Sequence, residues 1–334
     1  MTRTCIFGVI FWQGSIVATF IVQRLIQSIV VLILVSIIVF LALRLLPGDP
    51  IRMVITSTEN QSYTEEQIQL LRHQFGLDKP LPVQYINWVS DLFHGDMGTS
   101  ILTSSPVSEE IFKRLPVTFH IGILSFILGV IIGVPVGIIS AIRRGKWLDQ
   151  LVITLSNLGI TVPAFLLGLL LMYFFGLYLQ WLPIMGYTSP FEDFWLNTRQ
   201  LIMPVFCISV FTMASMARQT RSSMLEVMYQ DYIRTAWAKG LRERMVIMRH
   251  ALKNGLIPVI TLSGMSVPMI VGGAVVIETV FNIPGMGRLA VTSVLNEDYP
   301  YVQGIILIVA TAVLLANLVV DIAYAWADPR IRFN

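Results

Sequence analysis

Long uncharged stretches alternate with short charged segments along the whole chain. Six such stretches, without any Asp, Glu, Lys or Arg, cover residues 25–43, 115–142, 150–191, 200–217, 254–277 and 299–320. A helix needs about 20 consecutive apolar residues to cross a bilayer, so each stretch has the length of a membrane span. The pattern predicts an all-α polytopic membrane protein with six transmembrane helices.

The third stretch is too long for one crossing. Trp181, Pro183, Gly186 and Pro190 interrupt its second half, and glycine and proline are the strongest interrupters of regular structure. We therefore expect one helix near 151–179, followed by an interfacial loop.

Composition supports a membrane protein. Of the 334 residues, 55% are hydrophobic and 13% are charged, whereas soluble domains average roughly 25% charged residues. The mean hydropathy is +0.73. These values exclude an ordinary soluble enzyme and a nucleic-acid-binding protein. The cysteines Cys5 and Cys207 offer neither a metal-ligand spacing nor a disulfide framework.

The charges are sorted between the two sides of the membrane. With six spans, the connections 143–149 and 218–253 lie on the same side as both termini. That side holds fifteen basic and six acidic residues, and the opposite side holds eight basic and fourteen acidic residues. An excess of Lys and Arg near span ends marks the cytoplasm. We therefore predict that both termini are cytoplasmic.

The N-terminal segment leaves alternatives open. Residues 4–23 are uncharged and could be a signal peptide or an extra span. The polar segment 13–15 interrupts them, and Arg24 leaves no room for a turn before the next span. We expect residues 1–24 to form a cytoplasmic or interfacial leader.

A small extracytoplasmic insert is predicted between the first two spans, at residues 47–115, where nine acidic residues occur. Thr64 is a suitable cap for a first helix, and Gly76 is suitable to end it. The apolar face of this helix would consist of Ile68, Leu71 and Phe75. A second short helix is expected over residues 83–93.

The connection 218–258 between the fourth and fifth spans is longer than a passive link requires. Its apolar residues recur at helical spacing, at Leu241, Met245, Met248 and Leu252. The basic residues Arg242, Arg249 and Lys253 fall on the other face. This spacing predicts a short amphipathic helix that lies on lipid or docks into a groove of a partner.

Two motifs in this connection carry a family resemblance. Residues 231–240 read DYIRTAWAKG, and residues 249–258 read RHALKNGLIP. They closely resemble the EAA loop, the cytoplasmic signature of ABC importer permeases, with Arg234, Thr235 and Ala236 on the E-A-A triplet. Gly240 stands on the glycine of that motif. The RHALxN form is similar to the peptide and nickel branch of the family.

The resemblance extends over nearly the whole chain. Further matching motifs are LPGDP at 46–50, GLDKPL at 76–81, GDMGTS at 95–100, VIETVF at 276–281, Pro284-Gly285, and DPRIR at 328–332. Trp237 stands where the branch usually has Arg, which puts one polar contact at an ATPase interface in doubt. Ser105 also replaces a usual Arg, in the insert.

The resemblance implies the type I ABC importer permease fold. The implied organisation is a leader 1–24, a first transmembrane helix 25–46, the insert 47–115, a five-helix core 116–327 that contains the coupling loop 218–258, and a cytoplasmic C-terminus 328–334. Two short coupling helices around Gly240 would dock into a cleft of a cytoplasmic ATPase subunit. The implied coupling residues are Asp231, Arg234, Thr235, Ala236, Gly240, Leu241, Met245, Arg249, His250 and Asn254.

The resemblance also implies the partners. They are a homologous second permease that completes a heterodimer, two ABC ATPase subunits, an extracytoplasmic solute-binding protein and membrane lipid, with no nucleic acid. The chain would bind no cofactor, and ATP and Mg would be held by the ATPase subunits. In agreement with this, the sequence contains no Walker A lysine.

Catalytic and metal-binding motifs are absent from the sequence. The histidines His73, His94, His120 and His250 are scattered, and no HExxH or GxSxG motif occurs. The segment 285–290 fits a dinucleotide fingerprint on paper, but it follows a predicted membrane helix instead of the required strand. We therefore expect neither enzymatic activity nor a metal site.

Glycine, proline and methionine in the spans indicate a moving translocation path. The candidate gate or pathway residues are Met265, Met269, Gly272, Gly273, Glu278, Pro284 and Gly285. For Glu278, a gate contact and an interfacial acid bonded to backbone both stay open. For Asp321 a structural contact near Asn317 or the basic loop is favoured. Gly129, Gly133 and Gly137 would allow close helix packing.

The predicted function is that of a permease subunit in an ATP-driven importer of di- or oligopeptides at the bacterial inner membrane. The same role for nickel or metal-chelate complexes, glutathione or another small solute is the alternative. A secondary transporter would need titratable groups near the bilayer midplane and usually inverted repeats, and the chain shows neither. A membrane-embedded enzyme lacks catalytic residues.

Overall fold

The computed structural model describes residues 4–45, 65–74 and 76–327, and all regular structure in those ranges is helical. The helices are α1 (Thr4–Leu45), α2 (Glu65–Gln74), α3 (Leu81–Phe93), α4 (Val107–Ile142), α5 (Trp147–Thr161), α6 (Ala164–Leu171, continued by a π-helical Met172–Tyr178), α7 (Phe194–Met228), α8 (Asp231–Ala238), a three-part α9 (Glu243–Met245, the π-helical Val246–Ala251 and Leu252–Gly255), α10 (Ile257–Val280), α11 (Met286–Leu295) and α12 (Tyr299–Ala327).

The chain divides into two compact units. The larger unit comprises residues 1–26, 120–283 and 313–334, and the smaller unit comprises residues 27–119 and 284–312. Four helices in the described ranges are long and apolar enough to span a membrane, namely Ile21–Leu45 within α1, α4, α7 and Tyr299–Ile322 within α12. α5 and α6 together make a fifth candidate. α10 has 24 residues and occupies the remaining predicted stretch.

The third span differs from its prediction. Instead of one helix near 151–179, the chain forms α5 and α6, which are bent by 101° relative to each other. Val162 between them is extended, with φ −71° and ψ 123°. A residue that precedes proline is disfavoured in the α-region, and Pro163 has no N–H to donate. The expectation of a single helix was therefore wrong.

The N-terminal segment is helical up to the first span. α1 runs without a break from Thr4 to Leu45, so the polar segment 13–15 does not end the helix. No helix ends at residue 24, where we expected the leader to give way to the first transmembrane helix. That boundary stays a prediction.

The insert contains the two expected helices. α2 ends at the predicted glycine, because Gly76 has φ +64° and its N–H donates to the carbonyl of His73 at 3.0 Å. Ile68 is buried on the predicted face. The Thr64 cap, Phe75, the motif at 46–50 and the segment 328–334 lie outside the described residues.

An apolar cluster and a set of hydroxyl contacts stabilise the smaller unit. The buried cluster consists of Val107, Ile111, Met286, Leu289, Tyr301 and Ile305. Ser100 Oγ donates to the buried Asp298 carboxylate at 2.5 Å, and burial raises the pKa of Asp298. Ser105, the departure from the family pattern, lies 2.9 Å from the Tyr301 hydroxyl. These contacts connect the loop before α4 to the start of α12.

α7 is the central helix of the larger unit. Within the most apolar 18 residues of α7, 61% of the residues are buried inside the protein. The corresponding share is 28% in α4 and 6% in the α12 span. α5, α6, α9 and α10 all pack against α7.

Glycines bring α4 into direct contact with the backbone of α7. A Cβ added at Gly129 would lie 2.6 Å from Thr212 Cγ2, and one added at Gly133 would lie 2.6 Å from the Met213 carbonyl oxygen. At Gly137 the distance to the Ala217 carbonyl oxygen would be 2.5 Å. Small residues at four-residue spacing allow such close packing of membrane helices. The close packing predicted for these glycines is confirmed.

We predict that Gly133→Ala lowers the free energy of unfolding by about 1–3 kcal/mol, because the added methyl group cannot fit without separating two helices. Gly272→Ala in α10 is the matched control, since an added Cβ there has no atom within 4 Å. Thermal melting of the detergent-purified protein measures both changes. Equal melting temperatures for the two variants would contradict the tight α4–α7 contact.

Candidate functional site

The predicted coupling loop folds as two helices joined by a glycine turn. α8 ends at Ala238, and Gly240 then adopts φ +73°. The Gly240 N–H donates to the Trp237 carbonyl at 2.9 Å. Only glycine adopts this left-handed conformation without a steric penalty. The turn predicted at Gly240 is therefore confirmed as local geometry.

One face of both helices is buried against the spans. The residues on this face form a cluster with residues of α4 and α7, which we call the anchor cluster: Ala141, Met224, Ile233, Ala236, Val246, Ile247 and Ala251. Met224 and Ile233 are fully buried. α9 also approaches α7 closely, because a Cβ added at Gly255 would lie 2.7 Å from Met224 Sδ. The two helices are thus fixed to the C-terminal part of α7.

The apolar face of α9 differs in part from the predicted stripe. Leu241 and Leu252 pack against the anchor cluster as partly buried residues. Met245 and Met248, however, are 45% and 58% exposed. The π-helical turn Val246–Ala251 bonds residues five apart, so it shifts the side chains relative to the α-helical register that we assumed. The stripe is therefore divided between a partly buried and an exposed surface, and the docking of Met245 and Met248 on lipid or a partner stays a prediction.

The other predicted coupling residues divide between the two faces. Ala236 is buried, and Leu241 and His250 are partly buried. The exposed members are Asp231, Arg234, Thr235, Gly240, Met245, Arg249 and Asn254. Apolar and basic groups are therefore presented together on the side that faces away from the anchor cluster.

Side-chain contacts join α8, α9 and the turn between α4 and α5 across the exposed surface. Asn254 Nδ2 donates to the Tyr232 hydroxyl at 2.8 Å, which connects α9 to α8. Arg144, in the turn between α4 and α5, donates to the Tyr229 hydroxyl and lies over its ring. Trp237, which stands where the family branch usually has Arg, is 41% exposed and belongs to the same surface.

A buried ionic network lies next to the anchor cluster, and sequence reasoning did not find it. Asp149 in the first turn of α5 accepts hydrogen bonds from Arg221 of α7 at 2.6 and 2.9 Å. Ser140 Oγ and the Gly145 N–H donate to the same carboxylate at 2.6 and 2.8 Å. We call these four residues the Asp149 network. The only sequence signal is a single acid after three basic residues at 143–146.

The pathway candidates occupy several places. Glu278 is fully buried near the end of α10. Its backbone carbonyl accepts a hydrogen bond from the Ile283 N–H at 2.8 Å. Gly272 is exposed. Pro284 and Gly285 belong to the smaller unit, where Gly285 precedes α11. Met265, Met269 and Gly273 lie in α10, and their side-chain surroundings are outside the described part of the chain.

A cavity of about 450 Å³ borders the break between α5 and α6. Residues 159–164 form one wall, and Thr212 and Gly272 contribute to the rest. Proline and the bend remove helical hydrogen bonds at this position, so backbone polar groups accompany the apolar lining.

Asp321 is engaged in a structural contact, as favoured from the sequence, but its partner is Arg24 and not Asn317 or the basic loop. Its carboxylate lies 3.2 Å from Arg24 Nε. The contact joins α1 and α12 within the larger unit.

Sequence comparisons match both parts of the chain to one family. Residues 133–333 match the binding-protein-dependent transport system inner membrane component, and residues 17–122 match the N-terminal region of that membrane component. A probable peptide ABC transporter permease of Sinorhizobium fredii is 42% identical over 94% of this chain and 99% of its own length. The glutathione transport system permease GsiC of Pectobacterium atrosepticum is 41% identical over 94% and 98%.

The fold also matches solved structures. The inward-facing MetNI methionine ABC transporter superposes with a TM-score of 0.55 and 16% identity, over 65% of this chain and 96% of that chain. This similarity shows the type I permease fold and agrees with the all-α prediction. The chain therefore belongs to the family of inner membrane components of binding-protein-dependent transport systems, the multi-pass permease subunits of ABC importers.

Proposed function

We propose that the chain forms half of an ATP-driven translocation pathway for short peptides. As a family member it is a transport subunit and not an enzyme, and ATP hydrolysis belongs to separate ATPase subunits. One observation carries the proposal: the loop 218–258 buries one face in the anchor cluster and exposes the other, including Met245 and Met248. An element fixed on one face and free on the other is suited to receive a partner.

The exposed face of α8 and α9 binds an ATPase subunit that holds ATP and Mg. Asp231, Arg234, Thr235, Arg249 and Asn254 surround the apolar contacts as a polar rim, and Gly240 sets the angle between the helices. Interfaces of this kind combine a few apolar anchors with a polar surround. Ala236, Leu241 and His250 are buried or partly buried and lie beneath this surface.

The complete importer contains a homologous second permease, two ATPase subunits and an extracytoplasmic binding protein, surrounded by lipid. Both termini are cytoplasmic. The excess of basic residues at 143–146 and in the loop 218–258 supports this orientation. The contact between Arg24 and Asp321 supports it further, because it joins the start of the first span to the end of the last.

The proposed cargo is a di- or oligopeptide that the binding protein selects. The name of the Sinorhizobium relative supports a peptide, and the GsiC relative makes glutathione, itself a tripeptide, the second candidate. The cavity at the break between α5 and α6 and the residues Met265, Met269, Gly272, Gly273, Glu278, Pro284 and Gly285 contribute to the pathway or its gate.

The cargo is tested by reconstituting the chain with its partner subunits in liposomes and measuring uptake of trialanine, glutathione and a nickel chelate. We expect ATP-dependent uptake of trialanine. Uptake that ignores ATP would reject the proposed mechanism, and uptake of the nickel chelate alone would reject the peptide cargo.

We predict that Gly240→Pro abolishes productive coupling, because proline fixes φ near −65° while the turn needs +73°. ATP-dependent uptake and co-purification of the ATPase subunits are measured together. Gly76→Pro is the matched control for co-purification, since Gly76 also has a positive φ and donates its N–H three residues back. A Gly240→Pro complex that couples normally would remove the loop from the mechanism.

We predict that the double substitution Met245→Glu and Met248→Glu weakens association with the ATPase subunits about tenfold or more, as expected when apolar interface anchors are lost. The permease itself should keep its melting temperature, because both side chains are exposed. Met185→Glu is the control, at a methionine that is 54% exposed in the loop before α7. Unchanged association of the double variant would place the docking surface elsewhere.

A further inference from the structure

The Asp149 carboxylate is held more firmly than a surface acid. Its side chain is 3% exposed, and the Arg221 side chain is 24% exposed. Arg221 binds it through two nitrogens, one to each carboxylate oxygen, while Ser140 and Gly145 each bind one oxygen as well. Two parallel charge-assisted bonds fix the orientation of the partners as well as their distance.

The network joins the cytoplasmic ends of three spans. Ser140 lies in the last turns of α4, Asp149 in the first turn of α5, and Arg221 in the cytoplasmic half of α7. Gly145 adds the turn between α4 and α5. A rotation of one of these helix ends relative to the others would break at least one of the four bonds.

The same segment of α7 also holds the coupling helices. Arg221 precedes Met224 by three residues, so the two side chains are neighbours along one helix face. Met224 is fully buried in the anchor cluster and contacts the position of Gly255 in α9. A displacement of α8 and α9 therefore acts first on Met224. It then acts on Arg221, which lies one turn earlier in α7.

The C-terminal end of α5 lies at the cavity that borders the break between α5 and α6. α5 ends at Thr161, and the break that follows borders the cavity of about 450 Å³. α5 packs closely on α7 near this end, because a Cβ added at Gly159 would lie 3.1 Å from Ala214 Cβ. A helix held at both ends moves as one body with α7.

We propose that the Asp149–Arg221 pair is a positioning pair that transmits movement of the coupling helices to α5, and through α5 to the cavity wall. The proposal rests on the function proposed above and adds the connection between its two sites. Stability alone does not require charges here, because well-packed apolar residues replace buried ion pairs without loss in many proteins. A bidentate pair provides a fixed orientation that apolar packing does not.

The test measures how much trialanine enters liposomes for each ATP hydrolysed by the complete importer. In Arg221→Lys the charge remains, but the two-nitrogen contact is lost. We expect the complex to assemble and hydrolyse ATP, while uptake per ATP falls about fivefold or more, the range typical of coupling between two sites. Asp149→Asn should give the same loss. Arg218→Lys, at an exposed position one turn earlier in α7, is the matched control and should couple normally.

A second variant separates transmission from stability. Asp149→Leu combined with Arg221→Met and Ser140→Ala removes both charges and the buried hydroxyl that binds Asp149. The Gly145 N–H lies in an exposed turn and can bind water, so the complex should keep its melting temperature. We expect its uptake per ATP to fall as in Arg221→Lys. Normal uptake per ATP in either Arg221→Lys or the apolar triple variant would overturn the proposal, because packing would then suffice.

The result is distinguishable from a failure of the coupling loop itself. If Gly240→Pro couples normally, the proposed function of the loop is rejected whatever the Asp149 variants do. If Gly240→Pro uncouples while the Asp149 and Arg221 variants do not, only the positioning pair is rejected.

Discussion

The contact between the glycine row of α4 and the backbone of α7 is the constraint on which the larger unit depends. Apolar side chains gain little from leaving lipid for a protein interior, so helices in a membrane associate through close van der Waals contact and hydrogen bonds. At Gly133 and Gly137 the absence of a side chain allows contact with carbonyl oxygens of α7. This approach fixes the position of α7, and α5, α6, α9 and α10 pack around it.

Polar contacts continue this arrangement where the glycine row ends. Ser140 follows Gly137 by three residues, and its hydroxyl is already part of the Asp149 network. Along α7 the order of contacts is therefore backbone packing with α4, the ion pair with α5, and finally the anchor cluster with α8 and α9. The spans and the pair α8 and α9 are connected through one continuous helix, so neither can be repositioned alone.

Local rules predicted much of this architecture. The spans followed from uncharged length, the end of α2 from Gly76, and the turn between α8 and α9 from Gly240. The rest depends on tertiary contacts. No residue pattern marked the π-helical turn Val246–Ala251, and a 101° bend at Val162 replaces the single helix expected near 151–179. Asp149 and Arg221 are 72 residues apart in the sequence, so their spacing offered no reason to pair them.

The break between α5 and α6 also has a consequence for the solvation of the backbone inside the membrane. α5 has 15 residues, as does α6 with its π-helical continuation, and at 1.5 Å per residue each half extends roughly 22 Å. The hydrocarbon core is about 30 Å thick, so neither half crosses it alone. The backbone groups that the bend leaves without helical partners therefore lie at membrane depth, where α7 and α10 cover them in place of lipid.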